Sequence, residues 1–127
     1  MNLEDIVQKR INESNSLEDL SLILKYLIAY HSVWTDGRLY SIRTLVDVVD
    51  GLKIEIYHNE HPPPHFHVKA NGIDASFSIK ECQFIVGKIG SREQMMVEWW
   101  YKKSRLKLIQ FWNDSRPSDC PVGLISE

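Results

Sequence analysis

Leu52-Lys53-Ile54-Glu55-Ile56-Tyr57 alternates apolar and polar residues, and after a histidine–proline run the alternation resumes in His65-Phe66-His67-Val68-Lys69-Ala70. Successive side chains of a strand point to opposite faces, so a period of two reads as a half-buried strand. In the second strand Phe66, Val68 and Ala70 take the inner face, while His65, His67 and Lys69 take the outer one. Asn71-Gly72 is a hairpin turn signal. A third strand follows with Ala75, Phe77 and Ile79 inward and Ser76, Ser78 and Lys80 outward, and a weaker fourth covers roughly 83–88. The reading is a small antiparallel sheet of three to four strands over about 52–88.

Working outward, Gly90 ends the strand pattern, and Ser91-Arg92-Glu93-Gln94 reads as a capping box opening a helix. Met96, Trp99, Trp100 and the stem of Lys103 share one face, and Leu108, Ile109 and Trp112 follow, continuous or kinked near Ser104. The residue before a proline disfavours the α region, so the helix stops before Pro117, and residues 117–123 form an ordered loop or strap. Adjacent Trp99 and Trp100 cannot both face a single core, which makes Trp100 a candidate partner contact.

Upstream, Leu3, Ile6, Val7 and Ile11 predict a helix over 3–13, and Leu20, Ile23, Leu24, Leu27 and Ile28 predict a second, capped by Ser16 with Asp19 three residues on and ending near His31. Residues 34–38 read as a turn. Ile42, Leu45, Val46 and Val49 fit a short helix closed by Gly51, against the alternative of a strand turning at Asp50-Gly51. The fold class is α+β: the sheet packs against C-terminal helices over about 91–115, with an N-terminal helical segment (1–50) preceding an α+β domain (51–127).

A net charge of −2 leaves no whole-molecule field to draw nucleic acid or a membrane. Lys102, Lys103, Arg105 and Lys107 form a local basic cluster, read as a solvated helix face. Two cysteines do not make a disulfide framework and fit a reducing compartment. The N-terminus lacks the basic and apolar regions of a signal peptide, and no apolar run reaches the ~20 residues of a membrane span. The expectation is a cytoplasmic protein with no membrane partner.

Asn59, Glu60, His61, Pro63, Pro64, His65, Phe66 and His67 together resemble the hallmark of small bacterial proteins grouped as domain of unknown function 4160 (DUF4160). Ala75-Ser76-Phe77-Ser78-Ile79, Gly87, Glu98-Trp99 and Trp112-Asn113 extend the resemblance over about 50–125. It implies no established activity. Its implication is a toxin–antitoxin-like arrangement with a small partner protein, and a role in binding or acting on RNA or in protein pairing. His58 departs from the pattern, which favours a small polar residue there.

Four of the five histidines fall within residues 58–67, and imidazole both binds metals and exchanges protons near neutral pH. A polyproline run advancing ~3.1 Å per residue sets His61 and His65 ~12 Å apart. His65 and His67, at i and i+2 on a strand, point the same way with Cα atoms ~6.6 Å apart. Lys53, Tyr57, Lys69, Ser76, Ser78 and Lys80 are expected on that face. Three uses stay open. In the first, the histidines satisfy loop carbonyls.

In the second, His65 and His67 are general acid and base on RNA, with Lys69 or Lys80 stabilising charge, Tyr57 a substitute acid, and Glu60, His61 and His58 binding. In the third, His65 and His67 ligate a divalent metal such as zinc, completed by His61, Glu60 or Cys82. A non-enzymatic interaction module is the alternative class, with a homo-oligomer through the N-terminal helices among its forms.

Overall fold

The period-two stretch folds as strands, with sheet register fixed by which residues are apolar. The computed structural model describes residues 2–42, 51–58, 63–118, 120 and 123–127. Among these are helices α1 (Leu3–Asn12), α2 (Leu17–Tyr30) and α3 (Ser91–Ser115), and strands β1 (His31–Val33), β2 (Leu39–Ser41), β3 (Lys53–Ile56), β4 (His65–Ala70), β5 (Ile73–Ser78) and β6 (Phe84–Lys88). β1 and β2 pair as a hairpin; β3-β4-β5-β6 form an antiparallel meander.

Opposed pairs Ile54–Val68, Ile56–Phe66, Val68–Ala75 and Phe66–Phe77 put the apolar set on one face. α3 covers that face: the Phe66 ring lies 5.8 Å from Trp100 and 6.3 Å from Tyr101. The Tyr101 hydroxyl donates to Ile79 O at 2.6 Å. One continuous core runs from Val7 of α1 through the sheet to Ile125 near the C-terminus.

α3 is a single 25-residue helix, continuous through Ser104. It is buried from two sides, which corrects the expectation that Trp100 is exposed: Trp100 is 0% and Trp99 7% accessible. Trp100 faces the sheet and donates through Nε1 to Leu20 O of α2 at 3.1 Å. Trp99 faces the other way, beside Val33 and Trp34 of the β1–β2 hairpin, with Lys103 Nζ 5.4 Å from its ring centroid.

The capping box at Ser91 is also corrected. Gly90 is the N-cap, no side chain caps the helix, and Gln94 N bonds to Gly90 O. Arg92 is drawn away into the end of α2, donating through Nη2 to Ile28 O (2.6 Å) and His31 O (2.5 Å) and through Nε to Ser32 Oγ (2.9 Å). α2 has no basic residue in its last turn, so a cation from another element meets carbonyls left without an intrahelical partner.

The Ser16 cap forms as read, accepting from Asp19 N, while Asp19 Oδ2 accepts from Asn15 N, one residue short of a reciprocal box. The β1 and β2 strands are an addition; only their turn was legible. Ile42 N continues the hairpin by donating to Tyr30 O, and the rest of the helix expected over 42–49 lies outside the described residues.

The fifth histidine, His31, is buried 5.4 Å from the Tyr26 ring, and burial depresses its pKa below the ordinary 6.5. The unfolded chain therefore takes up this proton first as pH falls. Stability from His31 is complete above about 6.5 and is lost as pH drops through that value towards the folded pKa. Denaturant midpoints measured across this window should fall with acidification more steeply for wild type than for His31→Phe. Parallel pH curves would show that His31 contributes nothing to acid sensitivity.

Candidate functional site

The face of the sheet opposite α3 carries the ionisable residues. Strand parity places Lys53, Glu55 and Tyr57 there beside His65, His67 and Lys69, and then Asp74, Ser76 and Ser78, with Glu55 opposite His67 and His67 opposite Ser76. Lys69 Nζ donates to the Tyr57 hydroxyl (3.4 Å), Tyr57 donates in turn to Glu55 Oε2, and Lys69 lies 3.7 Å from Glu55 Oε1.

These contacts set the protonation states. The hydrogen bond from Tyr57, reinforced by Lys69, lowers the Glu55 pKa. The same hydrogen bond raises that of Tyr57, and the bond to Tyr57 raises that of Lys69. Tyr57 thus holds its proton more firmly than a free phenol, which weakens it as a substitute acid. Glu55 was missed in the sequence, although its parity with Tyr57 carried the signal.

The two histidines meet as the i, i+2 spacing predicts, ring centroids 5.0 Å apart, and the Tyr57 ring stands edge-on 4.9 Å from His67. His65 Nδ1 lies 2.8 Å from Pro63 O. A carbonyl only accepts, so Nδ1 carries the hydrogen of this contact. His67 Nδ1 is 3.0 Å from Ser76 Oγ.

The centre of this face is not the open surface expected: His65 (5%), Ser76 (5%) and Ser78 (8%) are buried. Small serines lie directly across from larger rings, and Ile79 N bonds to Pro64 O, closing β5 onto the proline segment.

Other candidates are placed elsewhere. His58 follows Tyr57 and takes the opposite side, where its ring stacks 4.4 Å from Trp112. Its Nε2 donates to Trp112 O at 3.2 Å near the α3 C-terminus, and Cys120 Sγ reaches His58 O at 3.1 Å. Lys80 lies past β5 in a turn, lining a cleft of about 410 Å³ with Pro63, Pro64, Gln83 and Leu124. Glu60 and His61 lie outside the described residues.

Of the strap expected over 117–123, residues 119, 121 and 122 lie outside the described residues. Its last residue and the chain beyond it are laced to α3, where Trp112 Nε1 donates to Gly123 O at 3.2 Å and Asn113 brackets Ile125 with bonds of 2.9 and 3.0 Å.

For a metal, no group of three His, Cys, Asp or Glu side chains converges among the described residues. Cys82 does not complete one. Burial, with Glu98 of α3 nearby, pushes its thiol up to about 12, so it offers no thiolate near neutral pH. A third ligand would have to come from Glu60 or His61.

A four-stranded meander with one helix-covered face and one face of paired imidazoles defines an α+β domain with a histidine-bearing sheet. Residues 51–113, from just before β3 to near the end of α3, match the family model Domain of unknown function (DUF4160). The chain belongs to the DUF4160 family. No curated protein and no solved structure matches it. The matched region holds the whole ionisable face and β6; α1, α2 and the C-terminal strap fall outside it.

Proposed function

We propose that this chain is a protein-pairing module whose β6 edge takes up an extended segment of a small partner protein, as in a toxin–antitoxin-like pair of the bacterial cytoplasm. The observation that carries this reading is the contrast between the two edges of the sheet. At the β3 edge, Ile54 N is satisfied by Ser21 Oγ of α2 at 2.9 Å, so that side is covered. At the other edge every residue of β6 is exposed, with Phe84, Ile85 and Val86 at 42, 39 and 63%.

An unpaired edge offers a row of amides and carbonyls to an added strand, and alternate side chains set its specificity. Val86 is opposite Ser76 on the polar face, whereas Phe84 packs 5.8 Å from the Phe77 ring on the helix side. The fitting segment is therefore apolar on both faces. Two free cysteines accord with a reducing compartment, and among the described residues no helix is long and apolar enough to cross a membrane.

The test is co-purification of this chain from its native host, followed by titration with the small protein recovered. Val86→Lys, on an exposed side chain, should weaken binding by roughly 100-fold, about 2.7 kcal/mol, with an unchanged melting temperature. Equal affinity for wild type and variant removes β6 as the docking edge.

One feature favours a second reading, acid–base chemistry on RNA. Two imidazoles 5.0 Å apart, one donating through Nδ1 to Pro63 O, stand beside Lys69 and Lys53. General acid–base groups contribute ~10²–10⁴-fold each. Cleavage of total RNA should then drop at least roughly tenfold in His65→Ala and His67→Ala. Indistinguishable RNA decay with wild type and the double variant discards this reading and leaves the pairing one untouched.

A further inference from the structure

The α1–α2 hairpin bears a second surface, remote from the ionisable face and outside the family match. Leu3, Ile6, Val7, Leu22, Ile23 and Tyr26 line an apolar groove of about 290 Å³ with Arg10 at its margin. Its rim is unusually apolar for a surface: Ile6 is 41% exposed, and Leu22, Tyr26 and Tyr30 are 59, 50 and 46% exposed. The last three recur every fourth residue along α2 and form one continuous stripe, with the Tyr26 and Tyr30 rings 5.0 Å apart.

Charge says what covers it. α1 is acidic in its first turn (Glu4, Asp5) and basic in its last (Lys9, Arg10). Asp5 and Lys9 are exposed, flank Ile6 on the outer side of the helix, and make no ion pair among the described residues. They lie symmetrically about Val7. A second α1 packed antiparallel across a two-fold axis at that level sets Asp5 of each copy against Lys9 of the other, twice over. A parallel approach would set like charges together. Isologous contacts have this self-complementarity as their requirement.

We infer that the α1–α2 face is the interface of a homodimer, built on antiparallel α1 helices, with Leu22, Tyr26 and Tyr30 of both copies closing over the apolar groove. It is separate from the β6 edge, so a dimer and its partner segment can be bound at once.

Sedimentation equilibrium of the full chain over a wide concentration range tests this. Wild type should be dimeric, and Leu22→Glu, at a side chain already largely in water, should be monomeric with unchanged circular dichroism, its dissociation constant raised roughly 100-fold or more. Asp5→Lys should weaken the dimer and the swap Asp5→Lys with Lys9→Asp should restore it, since only the swap re-creates both cross-pairs. A wild-type monomer at all concentrations overturns the inference, as does a dimer indifferent to Leu22→Glu. A dimer lost in Leu22→Glu but not rescued by the swap overturns the antiparallel arrangement. Val86→Lys is expected to leave the dimer intact.

Discussion

Trp100→Ala should lower the free energy of unfolding by about 3–5 kcal/mol, the largest single loss expected in this chain. The indole is fully buried, packs against Phe66 at 5.8 Å, and ties α3 to α2 through Leu20 O. Truncation leaves a cavity at the centre of a shared core and removes the side-chain tie from α3 to α2. Domains of this size hold only about 5–15 kcal/mol in total, so the variant should be partly unfolded at physiological temperature. Urea denaturation followed by circular dichroism measures it, with Trp100→Phe as the control: retaining most of the volume and losing the N–H, it should cost about 1–3 kcal/mol. Equal midpoints for the two variants would mean that packing volume around Trp100 is not what holds the layers together.

Gly87→Ala is the second. Gly87 sits at φ +121°, and an added Cβ would stand 2.0 Å from Asp74 O and 2.6 Å from Ala75 Cα. Those are backbone atoms of the neighbouring strand, so relief requires β6 to move away from β5. Backbone strain of ~1–3 kcal/mol is therefore joined by loss of the β5–β6 ladder. Gly72 is the comparison, at φ +82° with nothing within 4 Å of its Cβ position. Gly72→Ala should cost about 1 kcal/mol, Gly87→Ala at least roughly 3 kcal/mol. Hydrogen exchange should show the amides hydrogen-bonded between β5 and β6 unprotected only in the second. If β6 is the docking edge, the same variant should abolish partner binding.

The alternation over residues 52–80 made the sheet legible, because a one-residue slip would have moved every apolar side chain to the wrong face. It also placed His65 and His67 together, whereas His58, grouped with the binding residues, is turned to Trp112 of α3. What was not legible depends on neighbours distant in sequence. The rule that adjacent tryptophans cannot both be buried holds for a helix with one covered side, whereas α3 has the sheet on one side and the β1–β2 hairpin on the other.

The capping-box pattern at Ser91 was real as a string of residues, but Arg92 is committed to carbonyls of α2. Three-residue strands such as β1 and β2 are too short for a period to emerge. Burial of Ser76 and Ser78 follows from the rings placed across from them, which only the register supplies.

The bonds from Arg92 also impose an order in time. Their acceptors, Ile28 O and His31 O, leave the ribosome 64 and 61 residues before Arg92 does. During synthesis these two carbonyls therefore lack the Arg92 guanidinium until α3 has been made and docked. Leu27 O and Tyr30 O, in contrast, find their donors in His31 and Ile42 much earlier. Tyr30, at the end of the exposed α2 stripe, belongs to the last turn of that helix. If the α1–α2 face pairs two chains, the guanidinium that closes the end of its stripe arrives only with α3.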